Sequence, residues 1–422
     1  MTPAHPEDAT LIDAEADLEP AASPTPVRSR AQHLLLAASL ILIAFNLRPV
    51  LASVPVLLPE IVAGTGLGSV GASYLTSVPI LCLGLFAPLA PWLAMRFGTE
   101  KTLLGVLIVL AAGTAARGTG SLPMLFVASA LAGGAIAVGN VLLPGLVKRD
   151  FAAHAGPMTG LYTMAVCAGA AGAAGLSLPL AQWFGHRWTW ALAAWALPTA
   201  LVALIWAPQA LRRRAGGGRH AVHRVRGLWR DPLAWQVTMY MGLQSGLAYA
   251  MFGWLAPILR ARGMDGVTAG WVISASVMAQ VASCLLLPSF AIRLRNQSLL
   301  NVALALLAGV CLLAMLYAPL SLVWVYAALL GLAQGGLFSV CMTLIVLRSP
   351  DSQVAAHLSS MAQTVGYLIA SAGPLLVGLL HGRSGSFASA GYVYGGLALG
   401  AAWFGWGAGR AALVQTTREP AP

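Results

Sequence analysis

The sequence predicts an all-α membrane protein with twelve transmembrane helices arranged as two parallel six-helix repeats. Three observations predict this fold class. Of the 422 residues, 58% are hydrophobic and only 9% are charged, with a mean hydropathy of +0.78, whereas about a quarter of the residues in soluble domains are charged. Long apolar segments recur from residue 33 onward, and the two halves of the sequence resemble each other.

The apolar segments have the length of membrane-spanning helices. A helix rises about 1.5 Å per residue, so each segment of about 18 to 25 residues can cross a hydrocarbon core about 30 Å thick. The predicted spans are 33–56, 70–95, 101–118, 121–147, 156–181, 187–208, 233–259, 267–290, 298–317, 320–347, 355–380 and 387–410.

The N-terminal segment has the features of neither a span nor a signal peptide. Its first 30 residues contain six acids and five prolines and no long apolar run, a composition typical of disorder. We therefore expect a disordered cytoplasmic tail over 1–32, a second cytoplasmic tail over 411–422, and residence in the cytoplasmic (inner) membrane.

The distribution of basic residues predicts the orientation, because cytoplasmic loops are enriched in lysine and arginine. With a cytoplasmic N-terminus, eighteen of the 24 basic residues fall on the cytoplasmic side. Five fall on the outer side, namely Arg117, Arg187, Arg260, Arg262 and Arg383. Both termini are therefore predicted to be cytoplasmic, and Arg48 is left as the single basic residue inside a span.

A basic segment at 209–232 divides the spans six and six, which predicts an N-terminal bundle over 33–208 and a C-terminal bundle over 233–410. Its arginines and its His220 and His223 pair could suit a metal or a nucleic acid. A cytoplasmic loop resting on anionic lipid headgroups accounts for the same residues with fewer assumptions. We expect the lipid bilayer as a partner and no nucleic acid. The five isolated cysteines lack metal-ligand spacing, so no metal or other cofactor is expected.

The two halves align around the loops that follow the second and eighth spans. Residues 90–104 align without gaps with residues 287–301, which pairs Pro91 with Pro288 and Arg96 with Arg293. Spans that are six apart run in the same direction, so the repeats are parallel. Transporters built from such repeats hold their substrate between the halves, near the bilayer midplane.

Four motifs resemble one family. The strings "NLRP" and "LLPEI" in the first span, "GNVLLPGLVKRDF" at the end of the fourth and "TGLY" in the fifth resemble the cyanate and nitroimidazole transporter branch (CynX/NimT) of the major facilitator superfamily. The resemblance covers residues 33–410 and implies the major facilitator fold and alternating access. The loop signature of the superfamily survives only as "MRFGTEK", which implies a gating role for Arg96, Gly98 and Lys101.

Arg48 is the residue that bears most directly on function. It lies fourteen residues beyond Leu34, about 21 Å along a helix, and so near the middle of the first span. A guanidinium there is costly and too far from the surfaces to reach the headgroups. Pro49, Pro55 and Pro59 remove backbone hydrogen bonds and predict a kinked or partly unwound helix around it. The kink can serve either hinge motion or packing alone.

No carboxylate is predicted to pair with Arg48, because all thirteen acids map to loops, span ends or tails. A guanidinium can hold a mobile anion or an acceptor-rich planar solute through two charge-assisted hydrogen bonds. We predict that Arg48 is the substrate anchor. The alternative is that backbone carbonyls freed by the prolines satisfy its hydrogen bonds.

Further polar side chains lie inside the spans that surround the central cavity in this fold. The candidates for substrate contact are Asn46, Asn140, Tyr162, Gln244, Gln334 and Gln363. Each can instead form a hydrogen bond between helices. Since no acid lies mid-span, the sequence predicts facilitated uptake, or coupling through a proton carried by the substrate or by a group at a span end such as Glu60.

The sequence thus predicts a monomeric secondary transporter for a small anion or a small polar planar solute, cyanate-like by resemblance. The alternative is an exporter of nitroimidazole-like compounds or other drugs, which would favour an aromatic lining over a single charge. An enzyme or a sensor is not expected, because the chain has no HExxH, GxSxG or P-loop motif and no soluble domain.

Overall fold

In the computed structural model, the described residues are 30–151, 155–211, 224–350, 352–415 and 417–419. The chain falls into two compact units, residues 1–38 and 39–422. In the first unit, the described residues are the beginning of helix α1 (Arg30–Asn46). Most of the predicted tail at 1–32 and the middle of the predicted linker lie outside the described residues.

Helices account for nearly all of the described chain. The first six predicted spans and the segments between them contain α1, α2 (Pro49–Val56), α3 (Leu58–Thr65), α4 (Ser69–Phe86), α5 (Leu89–Phe97), α6 (Thr99–Ala116), α7 (Leu122–Asp150), α8 (Ala155–Trp183), α9 (Trp188–Ala194) and α10 (Ala196–Leu211). The last six contain α11 (Pro232–Ala261), α12 (Gly266–Arg293), α13 (Ser298–Tyr317), α14 (Val323–Leu347), α15 (Ser352–Ser384) and α16 (Ala390–Ala408).

Each predicted span coincides within a few residues with one helix or with consecutive helices. Among the described residues, ten of these segments are long and apolar enough to cross a membrane. Helices α11 and α16 supply the remaining two spans. The prediction of a twelve-span, all-helical membrane fold is confirmed.

The packing of the helices repeats with a period of six spans. In the first half, α6 packs on α10, α4 on α7 and α6 on α7; in the second half, the equivalent pairs α13 and α16, α12 and α14, and α13 and α14 pack together. The contacts between the halves repeat as well, because α8 packs on α12 and α4 packs on α15. Spans five and eight therefore form one seam, and spans two and eleven form the other.

The predicted break in the first span is confirmed. Helix α1 ends at Asn46 and α2 begins at Pro49, so Arg48 stands at the junction, and a second break at Leu57 separates α2 from α3. Pro49 has no N–H to donate to the carbonyl of Phe45. That carbonyl lies against Gly169 of α8, where any Cβ would overlap it, so glycine is required for the close approach of the two spans.

The C-terminal tail is attached to the linker, which the sequence does not predict. Strand β1 (Arg224–Arg226) pairs in antiparallel fashion with β2 (Thr417–Glu419). The carboxylate of Asp231 accepts hydrogen bonds from the backbone N–H groups of Ala234 and Gln415, both at 2.8 Å. The same side chain thus caps the first turn of α11 and holds the tail.

Candidate functional site

Arg48 lies where the first span is broken. It occupies the N-cap position of α2 with φ of −106° and makes no capping hydrogen bond through its side chain. Its side chain is half-buried. The Nε atom is fully buried and has no hydrogen-bond partner among the described residues. The carbonyl of Arg48 is used locally, since it accepts from the N–H groups of Leu51 and Ala52.

Tyrosines from both halves of the protein surround this guanidinium. Tyr162 of α8, Tyr249 of α11 and Tyr367 of α15 all lie close enough to interact electrostatically with Arg48. The rings of Tyr249 and Tyr367 meet edge to face, with centroids 6.2 Å apart. The environment of Arg48 is therefore aromatic and belongs to neither half alone.

A cavity of about 40 Å³ adjoins the guanidinium and is called the Arg48 cavity below. This volume has room for a few water-sized groups. Most of the wall is apolar, and none of the described residues that line it is an aspartate or a glutamate. The lining includes Arg48, Pro55, Thr76, Arg117, Ser129, Tyr249 and Phe252.

Arg117 changes one sequence-based expectation, because its backbone lies in the turn after α6 but its side chain is buried against the first span. Its side chain is only 1% exposed and lines the Arg48 cavity. The guanidinium donates hydrogen bonds to the carbonyl of Val50 at 2.8 Å and to the hydroxyl of Ser129 at 3.2 Å. The cause is the tight 3₁₀ turn after α6, which ends at Gly120 with φ of 72° and keeps Arg117 against the broken first span. Arg48 is therefore not the single basic residue within the spans.

Asn46 packs two spans together. Its amide donates to the carbonyl of Leu42 at 2.8 Å and accepts from the hydroxyl of Thr199 at 3.0 Å, and the residue is 1% exposed. Both ends of the amide are therefore engaged by α1 and α10. Its contact with substrate stays a prediction.

The other predicted amides lie on helices of the central region without lining the Arg48 cavity. Gln244 donates to the hydroxyl of Ser245 at 2.8 Å, and Gln363 donates to a hydroxyl one turn away at 2.9 Å. Asn140 is half-buried on α7. Gln334 is 3% exposed, and neither end of its amide has a hydrogen-bond partner among the described residues. Their roles in substrate binding also stay predictions.

The residues of the loop after the second span lie where α5 meets α6, and none of them lines the Arg48 cavity. Arg96 stacks on the rings of Trp92 and Phe97, with its guanidinium 5.5 and 5.6 Å from the ring centroids. Gly98 has φ of 85° and separates α5 from α6, while Lys101 is exposed. A gating role for these residues stays a prediction.

An ion-pair cluster beside this loop joins α6 to α7. Arg149 contacts the carboxylates of Glu100 at 2.6 Å and Asp150 at 2.9 Å. Burial lowers the pKa of Arg149, but the hydrogen bonds to these two carboxylates outweigh it and the net direction is upward. Arg149 therefore stays charged and holds the start of α6 and the end of α7 together.

Comparison with known proteins decides which family this fold represents. The sequence pattern of the family described as "Major Facilitator Superfamily" matches residues 34–374. The chain belongs to the major facilitator superfamily. It is a multi-pass membrane transporter and not an enzyme.

Relatives within this superfamily cover most of the chain. A Bacillus subtilis protein named "Uncharacterized transporter YycB" is 40% identical over 367 residues, 86% of this chain and 90% of its own length. The Escherichia coli "2-nitroimidazole transporter" is 35% identical over 85% of this chain and 91% of its own length. The Escherichia coli "Cyanate transport protein CynX" is 30% identical over 82% and 90%. The expected resemblance to the cyanate and nitroimidazole branch is confirmed.

Solved structures share the fold. The xylose transporter XylE from Escherichia coli in an inward-open conformation has a TM-score of 0.69 at 14% identity, covering 88% of this chain and 95% of that one. A bacterial homologue of the lysosomal transporter Spinster has a TM-score of 0.67 at 17% identity, covering 89% and 92%. At these identities the likeness concerns the superfamily fold alone.

Proposed function

We propose that this transporter moves a small anion or a small polar planar solute across the cytoplasmic membrane by alternating access, with Arg48 as the anchor. The observation that carries the proposal is the Arg48 cavity, where a guanidinium with an unpartnered Nε faces tyrosines from both halves and no lining carboxylate among the described residues. A buried cation needs a compensating acceptor, and a solute can supply it.

The chemistry of the cavity favours a flat acceptor. The planar guanidinium donates two parallel hydrogen bonds to a pair of oxygens or to other in-plane acceptors. Tyr249 and Phe252 add ring faces and edges that pack against a flat solute. A second positive charge at Arg117 raises the potential of the same cavity, so an anion or an acceptor-rich molecule is attracted and a cation is repelled.

An exporter of nitroimidazole-like compounds is the second candidate, and the aromatic lining favours it. Four aromatic side chains lie at or beside the anchor, namely Tyr162, Tyr249, Phe252 and Tyr367. A nitroimidazole presents both a flat ring for these side chains and two coplanar nitro oxygens for Arg48. A cyanate-like anion uses the charge but gains little from the rings.

The remaining parts of the proposal concern the movement itself. The bundles at 33–208 and 233–410 rock about the first span, which Pro49 and Pro55 weaken near the anchor. In the course of this movement Asn140, Gln244, Gln334 and Gln363 join Tyr162 and Arg48 around the solute. The protein acts as a monomer, with both termini in the cytoplasm.

The test is transport by purified protein in liposomes, with cyanate and 2-nitroimidazole as labelled solutes. Losing one charge-assisted hydrogen bond costs about 1.5–3 kcal/mol, so Arg48→Ala should raise KM about 10- to 150-fold for the transported solute. Arg48→Lys should recover part of this, because it keeps the charge and loses the fork. Arg295→Ala removes an exposed arginine and serves as the matched control. Equal transport by Arg48→Ala and wild type for every solute refutes the anchor role.

A further inference from the structure

A second and larger cavity lies at the outer end of the protein. Its volume is about 290 Å³, close to the lower limit of about 300 Å³ for pockets that hold small organic ligands. We call it the outer vestibule, defined by Pro59, Val62, Trp254, Arg260, His381 and Phe387. The first two residues belong to the first span and the other four to the second half, so the outer vestibule spans the two halves.

The outer vestibule and the Arg48 cavity are stacked along the same helices. Gly253 lines the Arg48 cavity and its neighbour Trp254 lines the outer vestibule. On the first span, Pro55 lines the former and Pro59, about one turn further, lines the latter. Trp254 is 3% exposed and its indole N–H donates to the carbonyl of Pro374 at 2.8 Å. This hydrogen bond fixes the ring in the wall of the outer vestibule.

One wall of the outer vestibule is a preformed aromatic surface. The rings of His381 and Phe387 are stacked with centroids 3.8 Å apart and planes within 2°. Trp254 packs against both, with centroids 6.2 and 5.9 Å away. Rings held rigidly in this way bind another flat ring with little loss of conformational entropy.

The two charged side chains at the outer vestibule form an ion pair with each other. Arg260 contacts both carboxylate oxygens of Glu60, at 2.8 and 3.0 Å, across the boundary between the halves. The two side chains are 27% and 24% exposed. Since the positive charge already has a partner, an anion gains less here than beside Arg48. The walls instead favour a neutral, flat molecule.

We propose that the outer vestibule is a second binding site, which takes a small planar heteroaromatic solute in its neutral form. The solute stacks on the wall formed by Trp254, His381 and Phe387, one helical turn outside the Arg48 cavity. The inference rests on the proposed function in that both cavities serve the same solute. The outer vestibule selects the flat ring, and the Arg48 cavity selects the acceptor group.

Equilibrium dialysis of the full-length protein against labelled 2-nitroimidazole tests this site. Ala261 lines the outer vestibule and is exposed, so Ala261→Trp obstructs the cavity without disturbing the core. Leu322→Trp adds the same side chain at an exposed position at the start of the tenth span and is the control. We expect two molecules bound per wild-type or control chain, one per Ala261→Trp chain, one per Arg48→Ala chain and none in the double variant.

A second variant addresses the aromatic wall without filling the cavity. Phe387→Leu keeps an apolar side chain and removes the ring stacked on His381, so it should weaken the outer site about two- to twelvefold, the range of one aromatic contact. Wild-type protein that binds no molecule, or an Ala261→Trp chain that binds as many molecules as the control, overturns the inference. If Ala261→Trp abolishes binding and Arg48→Ala changes nothing, the outer site stands and the anchor role of Arg48 fails.

Discussion

Replacing Gly270 by alanine should open the outer end of the transporter without unfolding either bundle. Gly270 lies in the second turn of α12 and faces α8 across the seam between the halves. A Cβ at this position would lie 2.5 Å from the carbonyl oxygen of Ala174, whereas ordinary contacts begin at 3.4 Å. The obstacle is backbone, which cannot rotate away, so the two helices must separate.

The cost of this overlap falls on one conformation. Overpacking a tight contact costs about 1–3 kcal/mol, and the contact exists only while the outer ends of α8 and α12 are together. The substitution therefore shifts the equilibrium toward the state with an open outer end by about 5- to 150-fold. The helices of each half keep their own contacts, so thermal stability should change little.

Cysteine accessibility measures the shift. Ser73 is fully buried and lies at the other seam, against Gly378 of α15. In proteoliposomes or intact cells, a Ser73→Cys reporter should react faster with a membrane-impermeant maleimide when Gly270→Ala is present, above the labelling of protein without the reporter. Gly172→Ala on α8 is the control, because nothing lies within 4 Å of the Cβ position there.

The result that refutes this reasoning is equal labelling of the reporter in Gly270→Ala, Gly172→Ala and the parent protein. Equal rates would mean that the α8 and α12 seam stays closed in every state that the reporter samples. Faster labelling together with loss of monodisperse protein would also count against it, because unfolding of a bundle, and not movement between bundles, would then expose Ser73.

Three further predictions follow from contacts described above. Arg117→Met removes a charge at little cost in thermal stability, because the lost hydrogen bonds are offset by the removal of a buried charge; KM for an anionic solute should rise about tenfold, or about 1.4 kcal/mol. Glu60→Gln breaks the ion pair with Arg260, a contact of a kind worth about 0.2–1 kcal/mol, and should speed labelling of the Ser73→Cys reporter about 1.4- to 5-fold. Asp231→Ala removes the cap of α11 and the bond to Gln415; it should cost about 0.5–2 kcal/mol in stability and make the C-terminal tail more sensitive to limited proteolysis.

Features that depend on local chemistry could be predicted from the sequence. The spans follow from apolar length, and the break at Arg48 follows from the missing N–H of Pro49. The position of Arg48 in a cavity without a lining carboxylate follows from the distribution of acids along the chain. Tyr162 is predicted on a separate ground: it is a polar side chain inside a central span.

Features that depend on how distant segments meet could not be predicted. Arg117 stands between glycines and threonines in what reads as a loop, and only the folded turn shows that it reaches Val50. Tyr367 follows Gln363 by four residues on α15 and so lies on the same helix face. This spacing is a sequence signal that could have identified Tyr367 as a neighbour of the predicted site residues. The pairing of β1 with β2 joins segments almost 200 residues apart, and neither strand has a distinctive pattern.

The two arginines of the Arg48 cavity also bear on the membrane potential. Both guanidinium groups are fixed in the protein and do not cross the membrane with the solute. A solute that crosses as a bare anion therefore moves its own negative charge through the electric field. Moving one elementary charge through 100 mV is worth about 2.3 kcal/mol, which corresponds to a concentration ratio of about 40 to 50. In a cell that is negative inside, this voltage drives anions outward and leaves neutral rings unaffected. Accumulation of an anion inside the cell through this cavity therefore requires a companion proton or another source of energy, whereas outward movement of the anion is driven by the voltage itself.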